Sequence, residues 1–117
     1  MAATRRPQVR LFHIRDEIDG VTSALKGISF EEYRANYALR RATERAVQII
    51  SEAARALPSD LTARYPRAPW AAIIAIGNIL RHEYQHVDDR RLWDIATMRL
   101  PELHEVVLTM LAELNGS

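Results

Sequence analysis

The segment Gly77-Asn-Ile-Leu-Arg-His-Glu-Tyr84 brings together side chains able to do chemistry, directly after an apolar run. An α-helix turns about 100° per residue, so Asn78 and His82 share a face one turn apart. Arg81 lies beside both, and Tyr84 projects one turn beyond Arg81. Such a set can hold a phosphodiester, with Arg supplying charge, His moving a proton, and Asn and Tyr acting as hydrogen-bond donors. His82 and His86 are also one turn apart and could bind a metal, but no third ligand stands nearby. His13 and His104 are isolated in amphipathic stretches. Taken alone, a polar helix end carrying one Arg and one His is ordinarily a solvated face. Spacing therefore locates a candidate without establishing an activity.

The elements that must carry this cluster read as helices throughout. Ile14, Ile18, Val21 and Leu25 recur with helical spacing in a segment starting near Gln8, and Lys26-Gly27 closes it. Residues 1–7 read as a lead-in to a single domain over 8–117. Ser29-Phe-Glu-Glu32 has the form of a capping box opening a short helix. A long helix is predicted from Tyr37 to Leu57, burying Ala42, Ala46, Ile49, Ile50, Ala53 and Leu57. Its other face, with Arg40, Arg41, Glu44, Arg45, Glu52 and Arg55, is expected to be solvated. Pro58 to Pro69 reads as a loop with one helical turn, and Pro69 suits the first position of a helix from Trp70 to about Tyr84.

Asp88 is placed to cap the next helix, with Val87 and Leu92 stapled across its start. Asp88 and Asp89 therefore read as caps before they read as catalytic carboxylates. Pro101 is expected to start the last helix, whose stripe is Leu103, Val106, Val107, Met110, Leu111 and Leu114. Trp70 and Trp93 fall on apolar faces and read as core anchors. The fold class that follows is an all-α, up-and-down helical bundle.

Composition narrows the function classes. Sixteen Lys and Arg against fifteen Asp and Glu leave a net charge of +1, so any RNA contact must come from a local patch. Fifteen of those sixteen cations are Arg, a residue suited to bidentate pairing with phosphate, although genomic base composition produces the same bias. With no cysteine there is no disulfide, thiolate metal site or thiol nucleophile. No Gly-rich phosphate loop and no serine in a nucleophile setting occur. The longest apolar run, Ala71 to Ile76, is too short to span a membrane, and the first residues lack an apolar signal core. A cytoplasmic protein without cofactor or metal is expected.

The chain as a whole resembles the HepT-like proteins, the HEPN-domain toxins that pair with a minimal nucleotidyltransferase antitoxin. The similarity runs from Leu11 to Leu114. It rests on Ile28-Ser-Phe-Glu-Glu-Tyr33, Arg45-Ala-Val-Gln-Ile-Ile-Ser-Glu-Ala-Ala54 and Arg64-Tyr-Pro-Arg-Ala-Pro-Trp70. It continues through Asn78-Ile-Leu-Arg-His-Glu-Tyr-Gln-His-Val87, Leu92-Trp93 and Leu100-Pro-Glu-Leu103. The resemblance implies a HEPN-like bundle that forms a homodimer and pairs two copies of an Arg-x4-His-x-Tyr motif. It also implies a metal-independent endoribonuclease acting on RNA, in which the partner silences the toxin by attaching AMP to the motif Tyr. On this chain the motif His is His82 and the modified Tyr is Tyr84.

One motif position departs: Gly77 stands where the family has Arg. Two accounts compete. Arg81, about 40° around the helix from position 77, can reach the same phosphate. Alternatively the charge stabiliser is lost, leaving a weak nuclease or a non-catalytic partner of the nucleotidyltransferase. Gly inside a helix costs roughly 0.5–1 kcal/mol relative to Ala, so its presence points to a close backbone approach there, with the dimer partner as one candidate.

Overall fold

The structure is a computed structural model that describes residues 6–83 and 87–116. Every regular element among them is helical. α1 (Pro7–Leu25) begins one residue ahead of the expected Gln8, with Pro7 in the first turn where its missing N–H is no loss. Leu11, Ile14, Ile18, Val21 and Leu25 are buried on one face, as their spacing predicts. The chain leaves α1 through Lys26 and through Gly27 at φ 75°, a conformation that only Gly adopts without strain.

α2 (Phe30–Ala35) opens on the expected capping box. The Glu32 amide donates to Ser29 Oγ at 3.1 Å, and the Ser29 amide donates to Glu32 Oε1 at 2.8 Å. α2 delivers Tyr33 into the core, where its ring lies 5.3 Å from that of Trp93, and Phe30 meets the same Trp93 at 5.9 Å. Burial, with the negative charges of Asp89 and Glu44 nearby, pushes the Tyr33 hydroxyl up to about 12.

α3 (Tyr37–Arg55) is capped by Asn36, whose side chain accepts from the Leu39 amide. Its buried face differs from the expected one. Ala42 is exposed and Ile49 only half-buried, whereas Thr43, Val47, Ser51 and Ala54 join Ala46, Ile50 and Ala53 inside. The reason is that α3 packs against α1 on one side and α5 on the other. Two neighbours rotate and widen the buried stripe, and the side facing α5 selects small side chains rather than apolar ones. Beyond Leu57, α4 (Ser59–Ala63) is the single turn expected in the proline-rich loop.

α5 (Trp70–Glu83) follows, with Pro69 just before its first residue and the Trp70 indole N–H donating to the Tyr65 carbonyl at 3.0 Å. Among the described residues α5 packs on α3 and on no other element to a comparable extent. Ile73 and Ile76 are fully buried, while Ala71, Ala72 and Ala75 remain exposed.

α6 (Asp89–Asp94) is capped as expected, Asp88 Oδ1 accepting from the Arg91 amide at 2.7 Å. Pro101 does not open a separate helix. α6 runs through a π-helical turn (Ile95–Arg99) directly into α7 (Leu100–Gly116), so Pro101 lies inside a continuous helical path. Proline lacks an N–H and its ring crowds the preceding turn, and a wider π turn accommodates both. α7 buries Leu103, Val106, Val107, Met110 and Leu111 against the core and packs chiefly on α1. Among the described residues no helix is long and apolar enough to cross a membrane.

Candidate functional site

The polar cluster forms at the C-terminal end of α5, beside the C-terminal end of α3. Asn78, Arg81 and His82 are all exposed. Arg81 Nη2 donates to Asn78 Oδ1 at 3.0 Å, and Arg81 Nε donates to His82 Nε2 at 3.3 Å. The structure therefore brings together the three residues that helical spacing placed on adjoining faces. Arg81 and His82 occupy the last turn, where the Arg81 cation interacts favourably with the carbonyl end of the helix.

The hydrogen bonds constrain the chemistry. A guanidinium has no acceptor, so in this contact His82 Nε2 is the accepting atom, the same role a general base plays toward a proton donor. Asn78, expected as a donor, uses its carbonyl oxygen to accept from Arg81. Its amide N–H₂ remains as the group that can donate outward.

A fourth residue was missed by the sequence reading. Arg55, assigned there to the solvated face of α3, is exposed, but its Nη1 donates to Asn78 Oδ1 at 3.3 Å. Asn78 therefore receives one guanidinium from its own helix and one from α3. No sequence signal couples positions 55 and 78, because the contact exists only once the two helices are packed.

Gly77 is buried and faces α3. A Cβ at this position would sit 1.8 Å from Ser51 Oγ and 2.2 Å from Ser51 Cβ. Ser51 Oγ donates to the Ile74 carbonyl at 3.4 Å, further tying the two helices. The close approach anticipated at Gly77 is thus made within one chain, to Ser51, and a dimer partner is not needed to explain it. An Arg at 77 has no room in this packing.

Tyr84, the expected AMP acceptor, lies outside the described residues with Gln85 and His86, so the alternative metal pair of His82 and His86 falls there too. Among the described residues no three His, Asp or Glu side chains gather to hold a metal ion. His104 is engaged elsewhere, its Nε2 at 2.9 Å from Asp19 Oδ1 between α7 and α1. A groove lined by Asp88, Arg90, Arg91, Asp94, Met98 and Arg99 follows the α6–α7 side and contains none of the four cluster residues.

Comparison with known proteins identifies the family of the chain. A family model described as Ribonuclease HepT-like matches residues 14–110. A protein of Caldanaerobacter subterraneus subsp. tengcongensis, named "Putative RNase TTE0752", is 34% identical over 107 residues, covering 92% of this chain and 96% of that protein. "Probable ribonuclease HepT" of Thermococcus cleftensis is 30% identical over 90 residues, covering 77% of this chain and 82% of its own length. No solved structure matches the chain. The family model takes in all of α2 to α6, including the helix that carries Asn78, Arg81 and His82, and on that match the chain belongs to the Ribonuclease HepT-like family.

Proposed function

We propose that this chain is a metal-independent endoribonuclease, the cytoplasmic toxin of a bacterial toxin–antitoxin pair. The observation that carries the proposal is the exposed Asn78–Arg81–His82 cluster, in which an imidazole nitrogen sits beside a guanidinium. In the proposed reaction the RNA 2′-hydroxyl attacks the adjacent phosphorus and its proton passes to His82 Nε2. The P–O5′ bond breaks, and the proton returns to the departing 5′-oxygen. Arg81 stabilises the negative charge that grows on the phosphoryl oxygens.

Regulation follows from Tyr84, two residues from His82 along the chain. A nucleotidyltransferase antitoxin transfers AMP from ATP to the Tyr84 hydroxyl and releases pyrophosphate. The added anion then competes with RNA phosphate for the neighbouring cations. Incubation with the cognate transferase and ATP should add AMP mass to the wild type and none to Tyr84→Phe; equal labelling of Tyr84→Phe would place the site elsewhere.

The protein acts as a homodimer with α5 in its interface. Support comes from the exposed Ala71, Ala72 and Ala75 and the half-buried Ile74 and Ile79, a face that the described residues of a single chain leave open.

A second reading has one observation in its favour. Because Gly77 replaces the motif Arg, the chain could serve as a non-catalytic partner of the nucleotidyltransferase. Induction in a bacterial host separates the two. Growth arrest and RNA fragmentation that disappear in His82→Ala support the nuclease, and growth indifferent to both forms supports the partner.

A further inference from the structure

We infer that Arg55, on α3, is a phosphate-binding residue of this site and supplies the second guanidinium that position 77 cannot. The inference rests on the reading of the cluster as an RNA phosphodiester site. Three observations support it. Position 77 faces Ser51 so closely that not even a methyl group fits, so a guanidinium cannot be supplied from there. Arg55 Nη1 and Arg81 Nη2 converge on the same Asn78 Oδ1, at 3.3 and 3.0 Å. Among the described residues neither Arg pairs with a carboxylate, so no protein anion occupies the pair.

The arrangement is therefore two cations held together by one neutral oxygen. Like charges repel, and a single amide carbonyl does not neutralise them. An anion with several acceptor oxygens, such as a phosphodiester, fits between two guanidinium groups, each of which can present paired N–H donors. Asn78 acts as the positioning residue, since its one oxygen orients a cation from each of two helices. A simpler role for Arg55 is to complement the carbonyl end of α3, where it occupies the last turn. That role would affect folding stability but not RNA affinity.

The test uses full-length protein carrying His82→Ala, so that RNA survives, and a short single-stranded RNA. Affinity is measured across a salt series. Each phosphate neutralised contributes a slope of about 0.7 in log affinity against log salt for single strands. Adding Arg55→Ala or Arg55→Gln should lower the slope by about 0.7, Arg55→Lys should retain it, and Lys26→Ala, on the C-cap of α1, should leave it unchanged. Circular dichroism melts accompany each variant, and Arg55→Gln, which keeps a side-chain donor for Asn78, serves if Arg55→Ala proves unstable. The inference is overturned if Arg55→Ala and Arg55→Gln leave slope and affinity intact. It is equally overturned if Lys26→Ala lowers the slope as much, or if the protein binds no RNA. Should the Arg55 effect appear while wild-type protein leaves RNA intact, phosphate binding by Arg55 stands and the ribonuclease reading falls.

Discussion

Replacing Gly77 with alanine inserts a methyl carbon 1.8 Å from Ser51 Oγ and 2.2 Å from Ser51 Cβ. Carbon contacts are comfortable only at about 3.5–4 Å, so α3 and α5 must part locally by roughly 1.5 Å or more. Overpacking of this kind costs about 1–3 kcal/mol, and the better helix propensity of Ala returns about 0.5–1 kcal/mol. With contacts this short the upper half of the overpacking range applies, and the net loss is about 1–2.5 kcal/mol. At this chain length it should lower Tm by roughly 4–10 °C. Ser51→Gly removes both clashing atoms and leaves only the Ser51 Cα, at an ordinary 3.7 Å. The double variant Ser51→Gly/Gly77→Ala, which exchanges the glycine between helices, should therefore recover most of the loss. Ser51→Ala should not rescue, because the Cβ remains. Thermal unfolding followed by circular dichroism, at fixed protein concentration, reads all four forms. A Gly77→Ala protein as stable as wild type, or a double variant no better than the single one, would refute the packing argument. The same geometry makes Gly77→Arg alone a poor route to a stronger nuclease, because it forces α3 from α5.

Under the proposed mechanism, His82→Ala should slow RNA cleavage about 10²–10⁴-fold and Arg81→Ala about 10²–10³-fold. An Arg81→Ala protein that cuts RNA at the wild-type rate would remove Arg81 from the reaction. Light scattering should show a dimer at micromolar concentration, and a monomer whose mass is independent of concentration would count against α5 as an interface. Tyr33 makes stability fall at alkaline pH. Its hydroxyl ionises near 10 when unfolded but near 12 when folded, so its contribution is complete below pH 10 and is lost between 10 and 12. That loss amounts to about 2–3 kcal/mol, and Tyr33→Phe should flatten the decline; an unchanged profile would show that Tyr33 is not its source.

Much of this protein could be read without coordinates, because its signals are local. The Ser29–Glu32 capping box, the Asp88 cap, the Gly27 exit from α1 and the stripe of α7 each depend on neighbours within a turn or two. The same holds for Asn78, Arg81 and His82, whose adjacency follows from the helical repeat alone. What the chain could not disclose is set by which helices lie side by side. Two flanking helices turned the buried face of α3 away from Ala42 and Ile49 toward Thr43, Val47 and Ser51. The run through Pro101 needed a π turn whose widening no residue pattern announces. Position 77 and Arg55 show the same division at the site itself. Gly77 is small because Ser51 occupies its space, and Arg55 reaches Asn78 because the ends of α3 and α5 meet. Both contacts join residues more than twenty positions apart. Helical periodicity relates side chains over a few residues along one axis, whereas these distances are set by the packing of one helix on another.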